Sequence, residues 1–440
     1  MHKTLCLALL LAASAAHALS ADDATSKQTA DFRQGQKRAD AEQAAADSAL
    51  ADLQQRAAAG DATAQFELGF IYVEGRGVAQ DYAQARAWYE KAAVQGNADA
   101  QYNLGVLYSE GQGVAQDYTQ ARAWYEKAAA QDDAQAQNNL GVLYAEGRGG
   151  TQDYAQARAW FEKAAAQGHA NAQNSLGFLY AEGQGIAQDY AQAHAWWEKA
   201  AAQGHAQAQS NLGFLYENGQ GVTQDYGKAR AWWEKAAAQG HAEAQNSLGV
   251  LYDEGKGVTH DYTQAAVWYE KAAVQGDADA QFNLGLLYDE GKGVTQDYTQ
   301  AAAWYEKAAV QGLVQAQYNL GVLYRDRQGV AQDYGKARTW FEKAAAQDFA
   351  PAQYNLGVMY ENGQGIEQDY ARAAYWYELA AEQGHARAQY QLGNLYREGL
   401  GVKENPAIME EWWQRAAAQG LQQAARQLDK WKRPRHAHIA

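Results

Sequence analysis

The chain repeats one pattern of apolar and polar positions every 36 residues. In the first copy, Ala64, Leu68 and Ile71 recur at the three- and four-residue spacing of one helix face. A second apolar stripe with the same spacing runs from Ala85 to Ala92 and includes Trp88. The pattern therefore predicts two helices in each copy, which we call helix A and helix B.

Polar and glycine positions predict where these helices begin and end. Helix A of the first copy is expected over Ala62 to Glu74, after which Gly75 breaks it because glycine tolerates positive φ. Helix B is expected to open at Asp81. Gln84 follows three residues later, and this spacing is close to a capping box.

The dipeptide Leu-Gly marks each copy and shows that there is no insertion between copies. It begins at Leu68, Leu104, Leu140, Leu176, Leu212, Leu248, Leu284, Leu320, Leu356 and Leu392. Ten helix-turn-helix repeats thus occupy residues 61–420. A single helical hairpin cannot bury both of its faces, so the repeats are expected to stack into an all-α solenoid. Residues 19–60 are expected to form a flexible start and an N-terminal capping helix, and residues 421–440 a C-terminal capping helix and a basic tail.

The repeated pattern, A-x-A-Q-x-x-L-G-x-x-Y followed by G-x-G-V-x-x-D-Y and W-Y, resembles the Sel1-like repeat family, relatives of the tetratricopeptide repeats. The resemblance covers about 360 of the 440 residues. It implies a right-handed α/α superhelical solenoid with helix A on the concave side and helix B on the convex side. It also implies a scaffold or adaptor that binds other proteins and is not an enzyme.

Residues 1–18 read as a secretory signal peptide. Lys3 gives a positive start, a short apolar run follows, and Ala16-His17-Ala18 resembles a cleavage site. The single cysteine, Cys6, lies within this segment. We expect cleavage after Ala18, export to the periplasm or secretion, and no membrane insertion of the mature chain.

Charge and motifs narrow the classes of function. A formal net charge of −15 argues against a general nucleic-acid binder, which needs a basic surface. We find no phosphate-binding loop, hydrolase elbow or zinc-protease motif, and we predict no catalytic residue, cofactor or metal. Histidines recur at the start of helix A, but one per repeat is too widely spaced for zinc, so we assign them to a solvated first turn. They are His169, His205, His241 and His385.

Carboxylates also recur, at the end of helix A in repeats six and seven. Two per repeat are found there, and we interpret them as a solvated acidic edge, with contact to a cationic partner segment as the alternative. They are Asp253, Glu254, Asp289 and Glu290.

Two columns on the outward face of helix A are our candidate partner site. An amide can donate to and accept from a peptide backbone at once, and tyrosine is favoured at protein contact surfaces. The alternative is that the asparagines brace neighbouring helices and the aromatic rings fill gaps between them. The candidate residues are Asn103, Asn139, Asn211, Asn283, Asn319, Asn355, Phe66, Tyr102, Phe282, Tyr318, Tyr354 and Tyr390.

Three hypotheses for function follow. The first is a protein-interaction scaffold that holds a protein or an extended peptide along the helix-A groove. The second is an envelope hydrolase or a β-lactam- or peptidoglycan-binding protein, by analogy to a cysteine-rich branch of the family whose cysteines this chain lacks. The third is a purely structural spacer. The pattern does not indicate the identity of the partner or the oligomeric state.

Overall fold

A computed structural model of the chain describes residues 26–432, which contain 22 α-helices and no β-strand. The predicted all-α class is confirmed, and each 36-residue repeat is a hairpin of helix A and helix B. The helices are α1 Ser26–Ala58, α2 Ala62–Glu74, α3 Tyr82–Val94, α4 Ala98–Glu110, α5 Tyr118–Ala129, α6 Ala134–Glu146, α7 Tyr154–Ala166, α8 Ala170–Glu182, α9 Tyr190–Ala202, α10 Ala206–Asn218, α11 Tyr226–Ala238, α12 Ala242–Glu254, α13 Tyr262–Val274, α14 Ala278–Glu290, α15 Tyr298–Val310, α16 Val314–Asp326, α17 Tyr334–Ala345, α18 Ala350–Asn362, α19 Tyr370–Glu382, α20 Ala386–Glu398, α21 Pro406–Ala418 and α22 Gln422–Lys432.

The chain forms two compact units. Of the described residues, 26–208 together with Gly219–Thr223 make the first unit, and Gln209–Asn218 together with 224–432 make the second. In each unit consecutive helices pack in pairs and successive hairpins stack, as in a solenoid. The predicted signal peptide and the end of the basic tail lie outside the described residues. No helix among residues 26–432 is long and apolar enough to cross a membrane.

Asp81 caps helix B as expected, but only half of the capping box forms. Its Oδ1 accepts hydrogen bonds from the backbone N–H groups of Ala83 and Gln84, at 2.9 and 3.0 Å. The backbone N–H of Asp81 does not bond to the Gln84 side chain; it donates to the carbonyl of Tyr72 at 2.9 Å. The aspartate therefore ties the start of helix B to helix A of the same hairpin.

The Leu-Gly dipeptide marks the closest approach of helix A to helix B. A Cβ added at Gly69 would lie 2.6 Å from Cδ1 of Tyr89, which is nearly fully buried. Leu68 is buried beside it, whereas Trp88 is only half-buried, with the Lys91 ammonium 3.8 Å from its ring centroid. The centre of the helix-B stripe is therefore Tyr89, and the tryptophan packs at its edge.

A buried glutamine of helix A is bonded both to the end of helix B in its own hairpin and to the helix that precedes it in the chain. Gln281, for example, donates from Nε2 to the Ala273 carbonyl at 3.0 Å, and its Oε1 accepts from Nε2 of Gln311 at 2.9 Å. The same glutamine-to-glutamine bond recurs 30 residues apart in all ten repeats. These bonds satisfy polar groups that the stacking would otherwise leave buried and unpaired.

The A–B turns need left-handed backbone, and some repeats adopt it without glycine. Gly113 has φ of 66°, and a Cβ there would lie 2.6 Å from the carbonyl oxygen of Tyr82 in the preceding repeat. Arg327 takes a φ of 61° at the first turn position of repeat eight. In the turn from helix B to the next repeat, Asp132 has φ of 62°, after a helix B that ends one residue early, at Ala129. Arginine and aspartate thus take the left-handed backbone at positions where other repeats have glycine.

Candidate functional site

The six aromatic residues predicted on helix A share one environment, and we call them the ring column: Phe66, Tyr102, Phe282, Tyr318, Tyr354 and Tyr390. Each is half-buried and packs against the buried aromatic ring of helix B in its own repeat, with ring centroids 5.7 to 6.2 Å apart. Packing on one side holds each ring in place, while the other side remains accessible. The same six side chains can therefore fill gaps between helices and also present a surface to a partner.

Repeats four and five lack an aromatic residue in this column and have a larger ring beneath it. Trp197 and Trp233 are buried, and their indole N–H groups each donate to a helix-A carbonyl, that of Asn174 or Ser210, at 3.1 Å. The wider tryptophan ring fills the space that a small polar residue leaves. Both tryptophans therefore belong to the core of their hairpins.

The asparagine column makes contacts within the chain. Asn355 is 5% exposed; it accepts a hydrogen bond from Arg325 and donates to the Pro351 carbonyl at 2.9 Å. Asn103 donates to the Asp99 carbonyl of its own helix at 2.8 Å.

The other four candidate asparagines are half-buried. Asn283 donates to Asn246 of the preceding repeat at 3.3 Å, and Asn139 and Asn319 bond to tyrosine hydroxyls of the preceding repeat. Asn211 also has an interaction within the chain. Bracing therefore accounts for part of this column's hydrogen-bonding capacity.

Within the described part of the chain, three open clefts beside the helices A are lined by residues of the ring column, and two of the three are also lined by a candidate asparagine. One cleft in the second unit has a volume of about 430 Å³ and brings together Tyr318, Tyr354 and Asn355. The next, of about 410 Å³, is lined by Tyr354 and Tyr390. In the first unit a cleft of about 240 Å³ is lined by Tyr102 and Asn139.

Sequence reasoning missed three polar residues of the 430 Å³ cleft. Arg325 and Arg387 border it, and His385 lies with its ring centroid 4.7 Å from that of Tyr354. Arg387 lies in the first turn of helix A, three residues before Tyr390, but it belongs to neither predicted column, and a single arginine gave no signal. Arg325 lies in the last turn of α16 and outside both predicted columns, so only its contact with Asn355 of α18 brings it into the cleft.

In the 430 Å³ cleft, neutral tyrosine side chains lie beside positively charged arginine side chains. Burial raises the pKa of Tyr354, so its hydroxyl remains protonated. The Arg325 guanidinium contacts the Asp326 carboxylate through Nε and Nη2, both at 2.6 Å, and these bonds raise its pKa. Arg387 is exposed and forms no ion pair with any residue in 26–432.

The recurring histidines are helix N-caps, a role we did not predict for them. His169, His241 and His385 are half-buried, and Nδ1 of each accepts the backbone N–H three residues on, at 3.2 to 3.3 Å. Burial lowers the pKa of all three. His205 accepts in the same way at 3.2 Å. Within the described residues, no three His, Cys, Asp or Glu side chains converge as metal ligands.

The four carboxylates of repeats six and seven divide into two kinds. Glu254 and Glu290 form exposed ion pairs with Lys256 and Lys292, at 2.5 and 2.6 Å. The aspartates are half-buried, and Asp289 accepts the Tyr305 hydroxyl at 3.0 Å. The predicted solvated edge therefore describes the glutamates only, because the aspartates point back towards the helix-B rings.

Comparison with known proteins identifies the repeat. The model of a family described as Sel1 repeat matches ten consecutive segments, 62–97, 98–133, 134–169, 170–205, 206–241, 242–277, 278–313, 314–349, 350–385 and 386–421. No curated protein gives a match.

Two solved structures are similar over most of the chain. The first is c5321, a protective antigen present in uropathogenic Escherichia coli strains that displays an SLR fold. It is 38% identical, the match covers 86% of this chain and 89% of that one, and the TM-score is 0.59. The second is a Sel1 repeat protein from Oxalobacter formigenes, 35% identical over 71% of this chain and 91% of that one, with a TM-score of 0.59.

Proposed function

Since the chain belongs to the Sel1 repeat family, we propose that it is an exported interaction scaffold that binds a protein or an extended peptide along the outer face of its helices A. Sel1 repeats generally mediate protein–protein interaction, and proteins built from them are generally non-enzymatic scaffolds. Several outer-face positions of helix A differ between repeats, and such variation suits a surface that distinguishes one partner from another.

The observation that carries this proposal is the set of clefts between neighbouring helices A. Residues of the ring column line all three, and each ring is already packed against helix B on one side. A side chain that is held before binding loses little conformational freedom on binding, so more of its contact energy contributes to affinity. Tyrosine adds a hydroxyl to a large apolar surface, which suits a peptide backbone and its side chains.

The asparagines act in this proposal as braces with spare capacity. A side-chain amide has two donor hydrogens and an oxygen that accepts twice. Asn103 uses one donor on the Asp99 carbonyl, which leaves its oxygen for a partner. Asn355 is too deeply buried to contribute more than the wall of the cleft.

Export rests on residues 1–18, whose charge, apolar run and A-x-A ending are those of a signal peptide. The similarity to c5321, a protective antigen, is in keeping with it. Fractionation of the source cells, with N-terminal sequencing of the mature chain, tests this part separately. A mature chain that begins near residue 19 and lies outside the cytoplasm is expected; an uncleaved cytoplasmic chain would contradict export.

Site-specific photocrosslinking tests the binding face. Gln135 and Gln315 are exposed on helices A, and Ala123 and Ala303 are exposed on helices B as matched controls. Each is replaced by p-benzoylphenylalanine in the full chain with its own leader. We expect Gln135 and Gln315 to crosslink the same partner, identified by mass spectrometry, and the helix-B controls to crosslink none.

Each other outcome has a clear meaning. Crosslinks from helix B alone would move the binding face and refute the helix-A proposal. No crosslink from any position would favour the structural spacer. Hydrolysis of nitrocefin by the purified protein would support the envelope-hydrolase alternative. No observation on the described residues supports that alternative.

A further inference from the structure

The charge of the helix-A face changes along the second unit. In repeats five to seven, the last turn of helix A carries Glu217, Asp253 and Asp289, and the first turn carries Glu243 and Asp279 in repeats six and seven. In repeats eight to ten, the equivalent last-turn residues are Arg325, Glu361 and Arg397, and the first-turn residues are Gln315, Pro351 and Arg387. The face is therefore strongly acidic in one stretch and carries both signs of charge in the next.

Arg387 is the cation that is left available in this second stretch. Asp326 pairs with Arg325 at 2.6 Å, and Glu398 pairs with Arg397, so both of those positive charges are offset. Arg387 is exposed, and among the described residues no carboxylate pairs with it. It borders both the 430 Å³ cleft and the 410 Å³ cleft.

The surroundings of Arg387 suit a peptide better than a free ion. Tyr354 lines both clefts with it, Tyr390 lines one, and Tyr318 the other. The ring of His385 lies over that of Tyr354, and this histidine is held as an N-cap by its bond to the Ala388 N–H at 3.2 Å. The two adjoining clefts together form a surface long enough for an extended peptide segment. This surface offers one cation, Arg387, flanked by aromatic rings that are held in place.

We propose that Arg387 anchors a carboxylate side chain of an extended acidic peptide segment that lies across these two clefts, between the rings of Tyr354 and Tyr390. This inference rests on the proposed function and names the chemistry of its partner. A guanidinium holds a carboxylate through two parallel hydrogen bonds, which gives direction as well as attraction. The acidic residues of repeats five to seven repel the same segment, so its position along the face is set by both attraction and repulsion.

Fluorescence anisotropy with defined probes tests the proposal on the full mature chain. The probes are fluorescein-labelled hexaglutamate, its neutral isostere hexaglutamine, and a labelled thymidine hexamer. We expect saturable binding of hexaglutamate, at least about tenfold tighter than that of hexaglutamine and weakened by salt, since the discriminating contact is ionic. The chain's net charge of −15 opposes non-specific binding of this probe.

Two arginine variants make the matched comparison. Arg387→Gln removes the proposed anchor, and Arg372→Gln removes an equally charged side chain, 64% exposed, from helix B of repeat nine. We expect Arg387→Gln to abolish the tenfold preference for hexaglutamate, Arg372→Gln to leave it unchanged, and Arg387→Lys to retain part of it. Thermal unfolding should be unchanged in Arg387→Gln, because the side chain is exposed.

Several results would overturn the inference. These are the absence of saturable hexaglutamate binding, equal affinity for hexaglutamine, equal losses in the two glutamine variants, or tighter binding of the thymidine hexamer. Any of them can occur while Gln135 and Gln315 still crosslink a partner, in which case the scaffold proposal stands and only the carboxylate anchor falls. If the crosslinks fail as well, the proposed function falls with it.

Discussion

Replacing Gly213 by alanine should destabilise the second unit, although alanine is the better helix former. A Cβ at this position would lie 2.5 Å from Cδ1 of Trp233, about 0.9 Å closer than the 3.4 Å at which ordinary contacts begin. Trp233 is 0% exposed, and its indole N–H is held by the Ser210 carbonyl at 3.1 Å. The ring therefore has no free space to move into.

The magnitude follows from two opposing terms. Overpacking a well-packed core costs about 1–3 kcal/mol, and the rigid, buried ring places this site near the upper end. Alanine in a helix regains about 0.5–1 kcal/mol relative to glycine. We therefore expect a net loss of about 2 kcal/mol in the free energy of unfolding.

Gly227 supplies the matched control in the same repeat. It lies in the first turn of α11, and the nearest atom to an added Cβ is Asp225 Oδ1 at 3.3 Å, with no ring beside it. Guanidinium denaturation followed by circular dichroism should show Gly213→Ala less stable than the parent and Gly227→Ala equal or more stable. In a double-mutant cycle, Trp233→Leu should cost less in the Gly213→Ala background than in the parent. Equal stability of the two alanine variants would refute the close-packing argument.

Two further predictions concern the polar contacts. Gln281→Leu removes two hydrogen bonds, one to the Ala273 carbonyl and one from the Gln311 amide, each worth about 1 kcal/mol, and should cost about 2 kcal/mol in denaturant unfolding. Gln264→Leu on an exposed helix-B position should change stability by less than about 0.5 kcal/mol, and equal effects would exclude a structural role for the glutamine bonds. His169, His241 and His385 cap helices in the neutral form with lowered pKa, so the stability they contribute is present above the ordinary value of 6.5 and is lost as pH falls through their folded pKa values. Thermal unfolding should show this loss below about pH 6.5, and the triple His→Asn variant should show less of it, since Asn97 caps α4 without titrating; the same slope in both proteins would contradict it.

The order and limits of the helices were predictable because they depend on nearby residues. Ala62–Glu74 is bounded as the apolar spacing indicated, since an amphipathic face and a following glycine act within a few residues. Asp81 was recognised as a cap for the same reason, although the reciprocal half of its box does not form. The ten matching repeats follow directly from the period.

The candidate site was predictable only in part. Helix spacing placed the ring column on the outer face, and the clefts do gather Tyr318, Tyr354 and Tyr390. The burial of Asn355 and the entry of Arg325 into the cleft depend on side chains 30 residues away in the next hairpin, where Arg325 and Asn355 meet. The sequence pattern of a single repeat does not predict such a contact between two repeats.

The sequence by itself determined what local forces decide in this protein: the period, the two helices of each repeat, their caps, and the need for each hairpin to stack. The tertiary structure decided what the stacking does to individual side chains. It placed Tyr89 in the core and Trp88 at its edge, made the Leu-Gly glycine a contact point for a ring, and joined Gln281 to Gln311. It also placed Arg387 beside two clefts, with no ion pair to any of the described residues. The physical reason is that these outcomes depend on distances between helices, within a hairpin and between hairpins, which the close packing of large rings sets and which no local pattern records.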